Sequence, residues 1–240
     1  MPGKLILFPV PIGDATVDQC LPPYNRELLN QCRFFIVEDC RTARRNLRAM
    51  GYTLPIDDTE MYELNEHTCL TEIARYLDPI AEGHNIGLMS EAGLPCVADP
   101  GSAITEMAHR KGIEIVPLVG PSSIMLALMA SGFNGQSFAF NGYPPIDQNK
   151  FAQLLKVIEP RIYRDNQTQI FIEAPYRNDK LLDFLAKKVQ PTTRICVACD
   201  LTLPSQYIRT RMARLWLNDP PQLHKKGSLN FSDCLFLLTQ

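Results

Sequence analysis

The sequence has almost no excess charge of either sign: 24 Lys and Arg against 26 Asp and Glu leave a formal net charge of −2. A protein that wraps long stretches of phosphate backbone carries a marked basic excess. Extended nucleic-acid binding is therefore disfavoured, although a local basic patch is not. Long apolar runs are also missing. No stretch approaches the roughly 18 residues that cross a bilayer, and the run Lys4-Leu-Ile-Leu-Phe8 is stopped by Pro9, too soon for a secretion signal. The expectation is a cytoplasmic protein with no membrane and no metal. Neither G-x-G-x-x-G nor a P-loop occurs, which removes the usual dinucleotide and nucleotide fingerprints. There is no internal repeat and no low-complexity segment.

Eight cysteines are present, and in an intracellular chain they read as reduced, mostly buried thiols. Cys196 and Cys199 form a C-x-x-C, but Arg194–Cys199 reads as a strand, where positions three apart face opposite ways. No second C-x-x-C or C-x-x-H completes a ligand set.

With 45% hydrophobic and 21% charged residues over 240 positions, the chain suits two domains of ordinary size, about 120 residues each. Strands and helices alternate, which points to an α/β fold. Strands are expected at 4–8, 33–37, 85–89 and 113–116, with helices at 41–50, 70–77 and 102–111. Leu70, Ile73, Ala74 and Leu77 would share a helix face. Residues 52–65 read as a loop. Pro117 to Pro121 interrupts the pattern, so the expected domains are 1–117 and 118–240. The second half shows a small-residue helix at 123–131, strands at 137–141, 169–173, 194–201, 206–210 and 234–239, and helices at 150–158 and 178–188. Strands outnumber helices there, so the second sheet is expected to be mixed. Trp216, with Leu215 and Leu217, reads as core or a dimer contact.

In open α/β sheets, ligands sit outside the carboxyl ends of strands. Four loops stand out there. Pro9-Val-Pro-Ile-Gly13-Asp14 follows the first strand, stiffened by two prolines, and is also readable as a plain turn. Ser90-Glu-Ala-Gly-Leu-Pro-Cys-Val-Ala-Asp-Pro-Gly101 is longer than the usual connector of about 2–6 residues. Its small residues suit close main-chain approach to a flat, polar ligand, while Asp99 and Ser102 could simply cap a helix. Val119-Gly-Pro-Ser-Ser123 lies at the junction, and Glu173-Ala-Pro-Tyr-Arg177 ends a strand.

Taken together, Pro11-Ile-Gly13, Glu38-Asp-Cys-Arg41 with Arg44-Arg45, Ser90–Gly101, Gly120-Pro-Ser-Ser123 and Glu173-Ala-Pro-Tyr-Arg177 resemble the tetrapyrrole methylase superfamily. Within it they most resemble the branch that methylates a ribose 2′-hydroxyl of small-subunit ribosomal RNA. The resemblance implies two α/β domains of the tetrapyrrole methylase type with S-adenosylmethionine in the cleft between them, in a homodimer. It assigns the cofactor to Ile12, Ser90, Glu91, Ala92, Val97, Ala98, Ser122, Ser123, Glu173 and Leu201. Ribosomal RNA or the small ribosomal subunit is the implied partner.

The chain departs from that branch at several points. It has Glu91 and Leu94 for Asp and Thr, Tyr176 for His, and Cys199-Asp200 for Arg-Glu. Ile146-Asp-Gln-Asn-Lys150 stands where a basic segment is usual. Cofactor loops are kept while substrate-facing positions drift, the pattern of a divergent paralogue. Methyl transfer from a sulfonium needs mainly orientation of the reactants, and a hydroxyl acceptor gains from a nearby base. Glu38, Asp39, Glu66 and His67 lie on segments expected near the cleft mouth, where one of these carboxylates would orient or deprotonate the acceptor, with Arg41, Arg44 and Arg45 placed to hold a phosphate or carboxylate. Equally, Glu38 and Asp39 could cap the next helix and the arginines form its solvated face. Methylation of a small molecule or protein, or non-catalytic sensing of the cofactor, are the other readings. His84, His109 and His224 stand alone without an assigned role.

Overall fold

A computed structural model describes residues 2–13, 17–65, 68–223 and 234–240. Asp14, Glu66, His67 and His224 lie outside the described residues. The chain divides into two compact units, Met1–Ser122 and Ser123–Gln240.

The first unit runs β1 (Leu5–Phe8), α1 (Val17–Cys20), α2 (Pro23–Leu29), β2 (Phe34–Val37), α3 (Cys40–Ala49), β3 (Glu60–Glu63), α4 (Leu70–Ile73), α5 (Asp78–Ala81), β4 (Ile86–Met89), α6 (Gly101–Arg110) and β5 (Ile115–Pro117). Its strands form a parallel sheet in the order β3-β2-β4-β1-β5. The three inner strands are near-continuous apolar runs because both faces are covered. Phe8, Phe35 and Val37 pack with Leu29 of α2 and Leu47 of α3 on one face. Leu5, Ile36 and Leu88 pack with Ile80 and Ile104 on the other. This places every β-to-α loop at one carboxyl edge.

Two expectations for this unit need correction. The segment read as a loop at 52–65 contains β3, an edge strand whose Glu60 and Glu63 are exposed. Only one neighbour pairs with it, so it lacks the apolar signature of its partners. The helix expected over 70–77 stops at Ile73, and the chain turns before restarting as α5 with Pro79 in its first turn. Proline disfavours a helical residue before it and would clash with the carbonyl four residues back. Ile73 and Leu77 stay buried, whereas Ala74 is exposed.

The second unit runs α7 (Ser123–Ser131), β6 (Phe138–Phe140), α8 (Gln148–Asp165), β7 (Thr168–Glu173), α9 (Asn178–Lys188), β8 (Arg194–Cys199), β9 (Tyr207–Met212), α10 (Ala213–Asn218) and β10 (Cys234–Thr239). The sheet order is β6-β7-β10-β8-β9, with β6 and β7 parallel and the other pairs antiparallel. The sheet is mixed, as the strand-rich sequence suggested. Helix α8 runs past Pro160 because Phe151, Leu155, Ile158 and Ile162 continue one buried face across it. Trp216 is a core residue: it is buried, and its indole N–H donates to Ile195 O at 3.1 Å.

The reading of all cysteines as reduced is overturned at one pair. Cys199 and Cys234 form a disulfide, with Cα atoms 4.4 Å apart. Antiparallel pairing sets Ala198 opposite Leu235, which brings the next residues of the two strands together. Cys196, on the other face of β8, joins a separate apolar cluster and is free. The two sulfurs of the C-x-x-C therefore diverge as the strand period requires.

Candidate active site

At the carboxyl edge of the first sheet, loops from four strands converge. Val10, after β1, and Gly93, in the loop after β4, exchange backbone hydrogen bonds of 2.9 and 3.1 Å. Gly93 has φ +72, and a Cβ there would lie 3.5 Å from Pro121 O and 3.9 Å from Ile12. The loop after β5 approaches even more closely. A Cβ on Gly120 would fall 2.1 Å from Cβ of Pro9, which only glycine avoids. Asn25 of α2 fixes this crossing by donating to Val119 O at 2.9 Å.

The fourth loop enters through Glu38, just after β2, whose carboxylate accepts the Glu91 amide at 3.2 Å. Among the described residues no hydrogen bond reaches its other oxygen. Glu38 is half-buried, and its carboxyl is pushed above the ordinary range, first by burial and then by the nearby charges of Asp99 and Glu91, with the Glu91 amide opposing. Its neighbour behaves differently. Asp39 caps α3 by accepting the Thr42 amide at 2.7 Å, and that bond holds its carboxyl below the usual range. The two adjacent carboxylates are thus separated: one serves the helix, the other faces the loops. Glu63, at the end of β3, supplies a further carboxylate here by accepting the Cys40 amide at 3.2 Å.

The long loop after β4 is bent by two non-glycine residues in the left-handed region, Cys96 at φ 68 and Ala98 at φ 62. Such conformations cost of order 1–3 kcal/mol each and collect at functional sites. Asp99 holds the bend: its carboxylate accepts the Cys96 amide at 2.8 Å and the Gly101 amide at 2.7 Å. It is a loop brace more than a helix cap. Burial raises its pKa, and the two amide bonds oppose that rise. Ser90 is buried and donates to Ala92 O at 3.1 Å. Glu91, Ala92, Val97 and Ala98 are exposed. Small side chains with accessible main chain fit a flat, polar ligand such as an adenosine.

Ile12 and Ser122 also lie in this unit, both half-buried. Arg41, Arg44 and Arg45 are exposed on α3, joined by Arg48, which shares their spacing and was not singled out from the sequence. Asn25 was missed as well, and at Gly120 so was the close approach to Pro9. Gly-Pro signalled the turn at Gly120, but the contact with Pro9 needs the fold.

In the second unit, Glu173 ends β7 opposite Cys234. It is buried, accepts the Ala174 amide at 2.9 Å and pairs with Arg177 at 3.0 Å. Leu201 follows β8 between Asp200 and Thr202, both left-handed. It packs with Ile124 and Leu128 of the helix that Ser123 starts. Ser123, Leu201 and Glu173 therefore flank one end of the second sheet.

The description "Tetrapyrrole (Corrin/Porphyrin) Methylases" fits residues 13–215 of this chain. The chain belongs to this family. The resemblance drawn from the loop blocks is thereby borne out, and tetrapyrrole methylase architecture accounts for the two α/β units. Across 184 residues the chain is 34% identical to the ribosomal RNA small subunit methyltransferase I of Halalkalibacterium halodurans, covering 75% of this chain and 58% of that protein. It thus spans less than two thirds of that relative. The protein of the same name from Thermotoga maritima is 30% identical over 178 residues, 73% of each chain. Among solved structures, the methyltransferase CobJ aligns over 98% of this chain and 93% of its own, with a TM-score of 0.64 at 18% identity, a likeness of fold. Among the described residues no group of metal-ligating side chains forms, and no helix is long and apolar enough to cross a membrane.

Proposed function

We propose that this tetrapyrrole methylase is an S-adenosylmethionine-dependent methyltransferase acting on a ribose 2′-hydroxyl of small-subunit ribosomal RNA. The observation that carries the reading is the half-buried Glu38 carboxylate, tied to the Glu91 amide among the converging loops. The names of the relatives at 30–34% identity support the substrate class.

Ile12, Ser90, Glu91, Ala92, Val97, Ala98 and Ser122 hold the cofactor in the first unit, with Ser123, Glu173 and Leu201 assigned to it in the second. Bound there, S-adenosylmethionine supplies an electrophilic methyl group on a sulfonium. Glu38 accepts the proton of the acceptor hydroxyl through its open oxygen, and the Glu91 amide fixes the carboxylate's orientation. Arg41 and Arg44 hold a phosphate beside the acceptor, while Asp39 sets the start of their helix. The N-terminal domain carries the acceptor side, and the protein acts in the cytoplasm as a homodimer. Replacing Arg41 with Ala should impair methylation of small ribosomal subunits and leave S-adenosylmethionine affinity, read by calorimetry, nearly unchanged. Equal loss of both contradicts the reading.

A further inference from the structure

Helix α3, Cys-Arg-Thr-Ala-Arg-Arg-Asn-Leu-Arg-Ala over 40–49, has four arginines and no acidic residue. Arg41, Arg44, Arg45 and Arg48 fall at i, i+3, i+4 and i+7, one face of a helix. All four are exposed, while Ala43 and Leu47 are buried against the sheet. Some basic side chains elsewhere pair with carboxylates, Lys4 with Glu114, Arg110 with Glu106, Lys187 with Asp183 and Arg211 with Asp219; among the described residues Arg75, Lys150 and Arg209 are exposed without one, but they stand singly, not in a row. The α3 arginine side chains make no hydrogen bond or ion pair among the described residues. Like charges at this spacing each cost a helix about 0.2–0.5 kcal/mol. Apart from the attraction between Arg41 and the Asp39 carboxylate, no carboxylate among the described residues offsets that cost, and the face is open to a ligand outside the chain.

We propose that this stripe is a docking track for the phosphate backbone of an RNA strand, leading to the carboxyl edge at Glu38. The inference rests on the methyltransferase reading and names how its substrate is held. From Arg41 to Arg48 the track is about 10 Å long, long enough to meet more than one phosphate of a strand. A single phosphorylated side chain needs converging arginines, not a row. A membrane-bound helix presents large apolar residues beside its charges, and the outward face of α3 has none larger than Ala49. The row begins two residues after Asp39 caps the helix, so a strand lying on it passes the site. This supplies a local basic element in a chain whose total charge is −2.

The test compares the full chain with the triple variant Arg44→Gln, Arg45→Gln, Arg48→Gln, at solvated positions where Gln keeps helix propensity. Binding of a labelled single-stranded RNA is measured across a salt series, and S-adenosylmethionine affinity by calorimetry on the same samples. For three lost phosphate contacts the slope of log K against log salt should shrink by about 2, with cofactor affinity unchanged. An unchanged slope overturns the track, as does stronger binding to anionic lipid vesicles than to RNA. A wild type with the expected RNA slope that neither binds the cofactor nor transfers methyl groups contradicts the methyltransferase and leaves the track standing.

Discussion

The Glu38 carboxylate accepts the Glu91 backbone amide at 3.2 Å, across 53 residues of sequence. This bond ties the loop after β2 to the loop after β4, between strands paired directly in the sheet. It places a partly desolvated carboxylate among the loops assigned to the cofactor.

If Glu38 takes the proton, Glu38→Gln should lower turnover by about 10²–10⁴-fold while S-adenosylmethionine affinity holds. Wild-type turnover should rise with pH through a midpoint above the ordinary Glu value of about 4.3, because burial raises this carboxyl. The variant should lose that limb. Asp39→Ala is the contrast: it removes a helix cap, costs about 1 kcal/mol of stability, and should leave the pH midpoint in place.

The same shift has a consequence for stability with a definite sign. A carboxyl whose pKa is raised by folding binds more protons folded than unfolded in the window above its ordinary value, so stability falls as pH rises through its folded pKa. Denaturation of wild type and Glu38→Gln at several pH values should show the variant gaining on the wild type from acid towards neutral. A constant difference would contradict the burial of Glu38.

Gly120→Ala tests the loop crossing. The added methyl would collide with Cβ of Pro9 at 2.1 Å, and neither backbone has a flexible side chain to yield. Overpacking of this kind costs about 1–3 kcal/mol. Cofactor affinity should fall together with the melting temperature, since the loops after β1 and β5 must separate.

What the sequence made legible follows from where its apolar residues lie. Phe34–Val37 and Ile86–Met89 are covered on both faces and read as strands without help. Glu60–Glu63 sits at an edge with two exposed glutamates and reads as a loop. The turn-rich stretch 90–101 announced a site through its glycines and prolines, but the left-handed turns at Cys96 and Ala98 belong to residues that give no such signal. Glu38 and Asp39 are adjacent acids before a helix; only the fold shows that Asp39 caps it and Glu38 turns to Glu91. The arginine stripe was open to inspection at helical spacing, and Arg48 extends it by one turn. The Cys199–Cys234 bond was hidden, since its partners are 35 residues apart and meet only because β10 closes the sheet between β7 and β8.

That disulfide makes its own prediction. Closing a loop of this length should contribute about 2–4 kcal/mol, so Cys234→Ser should lower the denaturation midpoint, and reductant should then cause no further drop. A wild type insensitive to reductant, with eight titratable thiols in denaturant, would contradict the bond.

Methyl transfer to ribosomal RNA is tested most directly with labelled S-adenosylmethionine. The purified chain is incubated with fractionated extract from cells lacking its gene, small ribosomal subunits kept as a separate fraction. The expected result is label in the RNA of that fraction, located at a ribose hydroxyl and lost with Glu38→Gln. Label confined to protein or small molecules, or none despite tight cofactor binding, would contradict it.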